Sequence, residues 1–131
     1  MFRSRMSAAA AVTAGALAAV VLIAPAAPAS VDSFGISPGW SFGPSPYGTG
    51  CTHLVFADAA PGEYVSFYDS QNGSFDPPGA ILVDQSGKVS ANWTPHTTGI
   101  HTLHAVQIGS EKTMQVEVGP GISLGPVCLA L

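Results

Sequence analysis

The chain has 131 residues, with four Lys or Arg against eight Asp or Glu and a formal net charge of −4 when the histidines are neutral. Phosphate backbones and anionic bilayers are bound by clustered cations, so this composition argues against a nucleic-acid partner and against adsorption to a charged membrane. The length suits one domain with its own core and is short for two.

Residues 1–29 read as a signal peptide. Arg3 and Arg5 give a positive start, an apolar run follows from Ala8 to Ile23, and Ala27-Pro28-Ala29 presents an A-x-A site before Ser30. Ala24-Pro25-Ala26 is a second small-residue site. The contrary reading is a membrane anchor, which the Ala-rich run is too short to favour, since a span needs ~20 residues. After cleavage Lys88 and Lys112 remain beside all eight acids, so the charge becomes 2 − 8 = −6. The expected location is therefore extracellular or in the cell envelope, with no membrane insertion of the processed chain. Cys51 and Cys128 both lie in that part, and an even cysteine count in an exported chain implies one disulfide. Closing so long a loop is worth ~4 kcal/mol on the chain-entropy model. A thiol or metal pair is the alternative, but C-x-x-C spacing is lacking.

Residues 30–50 form an N-terminal arm rich in Gly, Pro and Ser that also carries Phe34, Trp40, Phe42 and Tyr47. The composition is that of a linker. The aromatics open two further readings, an arm docked over the domain as an irregular first strand and an aromatic ligand-binding arm. Cys51 to Ala57 is the first clear strand. Cys51, His53, Val55 and Ala57 share one face and Thr52, Leu54 and Phe56 the other, and because both faces hold apolar groups the inward set is not fixed.

Asp58 to Gly62 is a turn, and Tyr64 to Tyr68 a second strand with Val65 and Phe67 opposite Tyr64, Ser66 and Tyr68. Asp69 to Gly79 reads as a long polar loop, Ala80 to Val83 as a short strand, and Gln85-Ser86-Gly87 as a turn. Lys88 to Ala105 is the most informative stretch. Val89, Ala91 and Trp93 alternate with Lys88, Ser90 and Asn92, as in a strand with one buried face. Pro95 ends the ladder, and Gly99 opens a strand that runs to about Gln107. Ile108 to Glu111 turns the chain into a last strand, Lys112 to Val118. Six short strands with regular turn signals and no helical repeat predict an all-β sandwich, with a seventh strand available from the Trp40 region. Its expected core is Val65, Phe67, Val89, Ala91, Trp93, Leu103, Ala105 and Val116.

VSFYD (Val65 to Asp69), GKVSANWTPHTTGIHTLHA (Gly87 to Ala105) and MQVEV (Met114 to Val118) resemble a bacterial immunoglobulin-like domain. The ending GPGISLGPVCLAL (Gly119 to Leu131) resembles small single-domain secreted actinobacterial members. The resemblance implies an immunoglobulin-like Greek-key sandwich of about seven strands, a cysteine near the end paired with one on the early strand, and adhesive, cell-surface or cargo-presenting roles. It brings no catalytic residues. Such domains often occur in tandem, whereas this sequence holds one copy, which weakens a stalk reading.

Four histidines are present, three of them (His96, His101 and His104) within nine residues. Residues three apart on a strand point to opposite faces, so His101 and His104 do not make a metal pair, and His101 is expected to hydrogen-bond in or near the core. Asp69, Asp76 and Asp84, with Gln71, Asn72 and Ser74 between them, offer hard oxygens, but the spacing lacks the later bidentate Glu of a calcium loop. No G-x-S-x-G elbow, H-E-x-x-H or phosphate loop is found, so neither an enzyme nor a cofactor is expected. The expected function is a secreted module that binds a partner protein or envelope component through a sheet face or loops. Tyr64, Tyr68, Trp40, Phe42, Leu54 and Phe56 form its candidate contact patch, because exposed apolar groups mark partner sites. The alternative is a structural or accessory envelope domain without a discrete ligand.

Overall fold

The computed structural model describes residues 30–131, so the signal peptide expected over 1–29 lies outside the described residues. The described chain is all-β. Its strands are β1 (Val31–Ile36), β2 (Trp40–Ser41), β3 (Tyr47–Gly48), β4 (His53–Ala59), β5 (Tyr64–Asp69), β6 (Gly73–Asp76), β7 (Ala80–Leu82), β8 (Lys88–Pro95), β9 (Gly99–Gln107), β10 (Ser110–Gly119), β11 (Gly121–Leu124) and β12 (Val127–Ala130).

They form three sheets. One has the order β1-β4-β8-β6, a second the order β3-β10-β9-β5-β7, and a third the order β11-β12-β2. The first two enclose the core between them. Val55, Ala57, Val89, Ala91 and Trp93 face in from one side, and Val65, Phe67, Leu103, Ala105, Val116 and Val118 from the other. Strand alternation produces this directly, since on β8 each inward apolar residue is followed by an outward polar one. Trp93 and Leu103 have no solvent exposure. Phe67 stacks between Phe34 of β1 and Phe75 of β6, with ring centroids 5.9 and 5.7 Å away.

The open register of β4 resolves to His53, Val55, Ala57 and Ala59 inward, with Leu54 and Phe56 outward. Opposite β8, only the His53 set completes the core. The β9–β10 hairpin turns at Ile108-Gly109, where Gly109 has φ 79°, a conformation that side chains rarely adopt. Below it Gln107 is buried and holds the backbone of Ala60 with both ends of its amide, at 3.0 and 3.2 Å, pinning the β4–β5 turn.

The segment 30–50 docks on the domain: β1 pairs along β4 from Val31↔Ala59 to Ile36↔Val55, and β3 pairs with β10. The stretch Asp69–Gly79 is not all loop: it contains β6, where Phe75 pairs with Trp93. The last thirteen residues supply the β11–β12 hairpin, on which β2 lies in parallel. The count is therefore twelve strand segments rather than about seven. The Cys51–Cys128 disulfide ties β12 to the entry of β4, with Cα atoms 5.6 Å apart.

Candidate functional site

The six apolar residues singled out from the sequence are all exposed, from 43% for Phe56 to 81% for Phe42. They do not form one patch. Leu54 and Phe56 project from β4 on the outside of the four-stranded sheet, whereas Tyr64 and Tyr68 project from β5 on the outside of the five-stranded sheet. The core separates the two sets. Trp40 and Phe42 belong to the third sheet and its exit.

Trp40, 73% exposed, walls a groove of about 440 Å³ whose lining includes Leu54, His53, Thr52, Ser123 and the Cys51–Cys128 bridge. Leu54 and Phe56 are two residues apart on one strand and share a face. Phe56 in turn lines a second hollow of about 380 Å³, with Ser33, Asp58, Lys88 and Ser90. Trp40, Leu54 and Phe56 thus make one apolar strip from the disulfide end along the outer face of β4. At its far end Lys88 Nζ donates to Asp58 Oδ1 at 3.0 Å and Ser33 Oγ to Asp58 Oδ2 at 2.8 Å. The Ser33 hydroxyl, and next the Lys88 ammonium, hold the Asp58 carboxyl below the usual carboxylate range. The strip ends on a fixed pair of opposite charges, so an occupant meets apolar surface first and an ion pair at the rim.

His53 forms the inner wall of the groove. It is 5% exposed, edge-on to Tyr47 with centroids 5.2 Å apart, and accepts from Gly48 N–H at 3.4 Å through Nε2. Burial pushes this imidazole below its ordinary pKa and pushes the Tyr47 phenol up.

The other histidines do not converge. His101 is fully buried, with Nδ1 2.6 Å from Asp69 Oδ2 and Nε2 2.7 Å from Thr97 O. His96 meets Ser74 at 3.1 Å on the surface. Among the described residues no three His, Cys, Asp or Glu side chains stand close enough together to hold a metal ion. Nor do the three aspartates around β6 gather. Asp69 is engaged by His101 and Trp93, while Asp84 accepts from Ser86, whose hydroxyl holds its carboxyl low.

His104 gathers Tyr68 with two residues that the sequence does not single out, Ser70 and Glu111. It stacks face to face with Tyr68, centroids 4.1 Å apart and planes 4° from parallel. Its Nδ1 is 2.5 Å from Glu111 Oε2 and its Nε2 2.5 Å from Ser70 Oγ. Partial desolvation and the Glu111 charge raise the Tyr68 phenol. Tyr68, His104 and Glu111 come from three adjacent strands of one sheet, and Ser70 directly follows β5. Only the pairing register brings them together, and nothing in their spacing along the chain marks the group.

The disulfide belongs to an oxidising, non-cytoplasmic environment. No helix among the described residues is long and apolar enough to cross a membrane. Comparison with family models, curated proteins and solved structures finds no match.

Proposed function

We propose that the chain is a secreted immunoglobulin-like Greek-key sandwich that binds a partner protein, or another protein of the cell envelope, through the outer face of its four-stranded sheet. The strand orders β1-β4-β8-β6 and β10-β9-β5-β7 support the fold reading, because they follow the ABED and GFCC′ orders of such sandwiches. Two departures stand beside this. The chain reaches β6 before β7, and the disulfide ties the third sheet to β4 instead of joining the two main sheets.

The observation that carries the binding reading is the Trp40–Leu54–Phe56 strip. Leu54 and Phe56 lie exposed on one face of β4 and Trp40 lines the same groove as Leu54, so three large apolar groups are flanked by two hollows that can seat protruding side chains. Interfaces concentrate their energy in such aromatic anchors inside a polar rim, here Asp58, Lys88, Ser33 and Ser90. The test is site-directed photo-cross-linking in the cells that make the protein, with the reactive side chain placed at Phe56 and, on the contrary face, at Tyr64. A recurrent adduct from Phe56 that is absent from Tyr64 and is lost in Trp40→Ser supports the assignment. Adducts from Tyr64 alone would move the site to the other sheet, and none from either position would favour the accessory-domain alternative.

A further inference from the structure

The outer face of the five-stranded sheet carries a second arrangement, independent of the strip. Ser70 follows the end of β5, His104 is on β9 and Glu111 on β10, and all three side chains lie on the outer side of their sheet. Glu111 approaches Nδ1 of His104 and Ser70 approaches Nε2, each at 2.5 Å. A carboxylate can only accept, so in the neutral ring the Nδ1 hydrogen points at Glu111. Nε2 then carries the lone pair and accepts the Ser70 hydroxyl proton. This is the connectivity of an acid–imidazole–serine relay, in which the acid fixes the tautomer and the ring acts as base toward the hydroxyl.

Neighbouring groups hold the relay in place. The Tyr68 ring covers one face of the imidazole, and its hydroxyl donates to the same Glu111 oxygen at 3.4 Å. Ser70 N donates to Thr102 O at 3.0 Å, which fixes the Ser70 backbone beside β9. The next residue, Gln71, accepts from Thr102 N at 2.6 Å through its side-chain oxygen, so its two amide hydrogens remain for an oxyanion.

We propose that Ser70 is an activated nucleophile, with His104 as its base and Glu111 as a positioning residue, and that it reacts with small activated acyl esters. Ser70 Oγ forms a bond to the acyl carbon while its proton passes to His104 Nε2. The bond from that carbon to the leaving oxygen breaks, and His104 returns the proton to the departing alcohol. Water then repeats the sequence on the acyl-serine, releasing the acid and restoring the Ser70 hydroxyl. Ser70 is exposed on an open sheet face, which favours small, accessible esters over large substrates needing a walled pocket.

The experiment is labelling of the purified, disulfide-intact protein with a fluorophosphonate probe, with adduct mapping by mass spectrometry and p-nitrophenyl acetate turnover in parallel. The expected adduct is on Ser70, with labelling abolished in Ser70→Ala and reduced about 10²-fold in His104→Gln, the usual size of a base's contribution. Glu111→Gln is expected to remove the low-field Nδ1 proton resonance of His104 as well as to slow labelling. Ser70→Cys keeps the test sharp: its thiol should be alkylated by iodoacetamide at least tenfold faster than the same thiol in a His104→Gln background. No adduct on folded protein, labelling that persists in Ser70→Ala, or equal alkylation with and without His104 would overturn the proposal. None of these outcomes bears on the Trp40–Leu54–Phe56 strip, which lies across the core.

Discussion

The carboxylate of Asp69 and the imidazole of His101 meet at 2.6 Å with both side chains wholly out of solvent. The same oxygen, Oδ2, accepts from Trp93 Nε1 at 3.0 Å, and the other caps Gln71 N at 2.9 Å. His101 Nε2 faces the Thr97 carbonyl, which can only accept, so Nε2 carries a hydrogen and one further proton lies between Nδ1 and Oδ2. This cluster joins β5, β8 and β9, and therefore couples the two sheets through polar contacts inside an otherwise apolar core.

Removing one member should expose the cost of the others. Asp69→Ala leaves the Trp93 indole and the His101 ring without their acceptor, and losses of about 3–5 kcal/mol are usual for breaking a buried pair. Trp93→Phe removes only a donor and some volume and should cost much less, about 1–2 kcal/mol. Asp69→Ala combined with His101→Ala should fall short of the summed single losses by about 1 kcal/mol or more. Urea unfolding of the wild type, Asp69→Ala, His101→Ala, their combination and Trp93→Phe measures this, and strict additivity would show that Asp69 and His101 do not act as a unit.

Gly73 is a second point of control over the same cluster. A Cβ there would collide with Asp69 Oδ2 and lie 2.6 Å from Trp93 Nε1, and neither neighbour has space to retreat inside the core. Gly73→Ala should therefore perturb the near-ultraviolet signal of Trp93 and destabilise by about 1–3 kcal/mol, the usual cost of overpacking. A variant with unchanged tryptophan signal and stability would contradict the close packing of β6 on Trp93.

The disulfide should act mainly on the third sheet. Cys51 and Cys128 are 77 residues apart, and replacing both with Ser should cost ~4 kcal/mol if the reduced chain is fully unfolded in its reference state. The β11–β12 hairpin has few other ties, among them Gly121 N to Thr49 Oγ1 at 3.0 Å and Phe42 N to Ala130 O at 3.0 Å. Hydrogen exchange on the Ser variant is expected to lose protection first in β12 and β2, with β8 and β9 still protected. Uniform loss across all strands would mean that the bridge supports the core directly.

The parts of this fold that are legible in the sequence are those where burial is one-sided. Along β8, and on β9 from Thr102 to Ala105, apolar and polar residues alternate, so the inward positions of Val89, Ala91, Trp93, Leu103 and Ala105 follow from period two alone. β4 defeats that logic because Leu54 and Phe56 on its outer face are as apolar as Val55 and Ala57 within; the partner strands, not the pattern, decide. β6 escapes notice because one apolar residue, Phe75, does not make a period. The hairpin at 121–130 is hidden by Gly and Pro, and it is held by a covalent bond and by backbone hydrogen bonds that composition does not encode. The candidate strip was legible as residue types but not as a place, since its separation from Tyr64 and Tyr68 depends on which sheet each strand joins.

His53 gives the fold a pH dependence whose sign follows from its burial. Desolvation lowers its pKa in the folded state below the ordinary value, whereas the unfolded chain returns it to about 6.5. Between those two values the unfolded chain binds more protons than the folded one, so stability falls as pH falls. The contribution of a neutral His53 is thus fully present above about pH 6.5 and is lost on acidification through the folded pKa. Asp58 and Asp84, whose carboxyls are held low, add losses only further down, below about pH 4, and being exposed they add little. Unfolding midpoints measured from pH 7.5 to 5 should decline for the wild type and stay nearly flat for His53→Leu, which keeps an apolar group against Tyr47 and Trp93. The same decline in both proteins would place the titrating group elsewhere. Because His53 also walls the Trp40 groove, a ligand that seats there on the neutral imidazole should raise the midpoint most at pH 7.5 and steepen the decline, since it lowers the proton affinity of the folded form further.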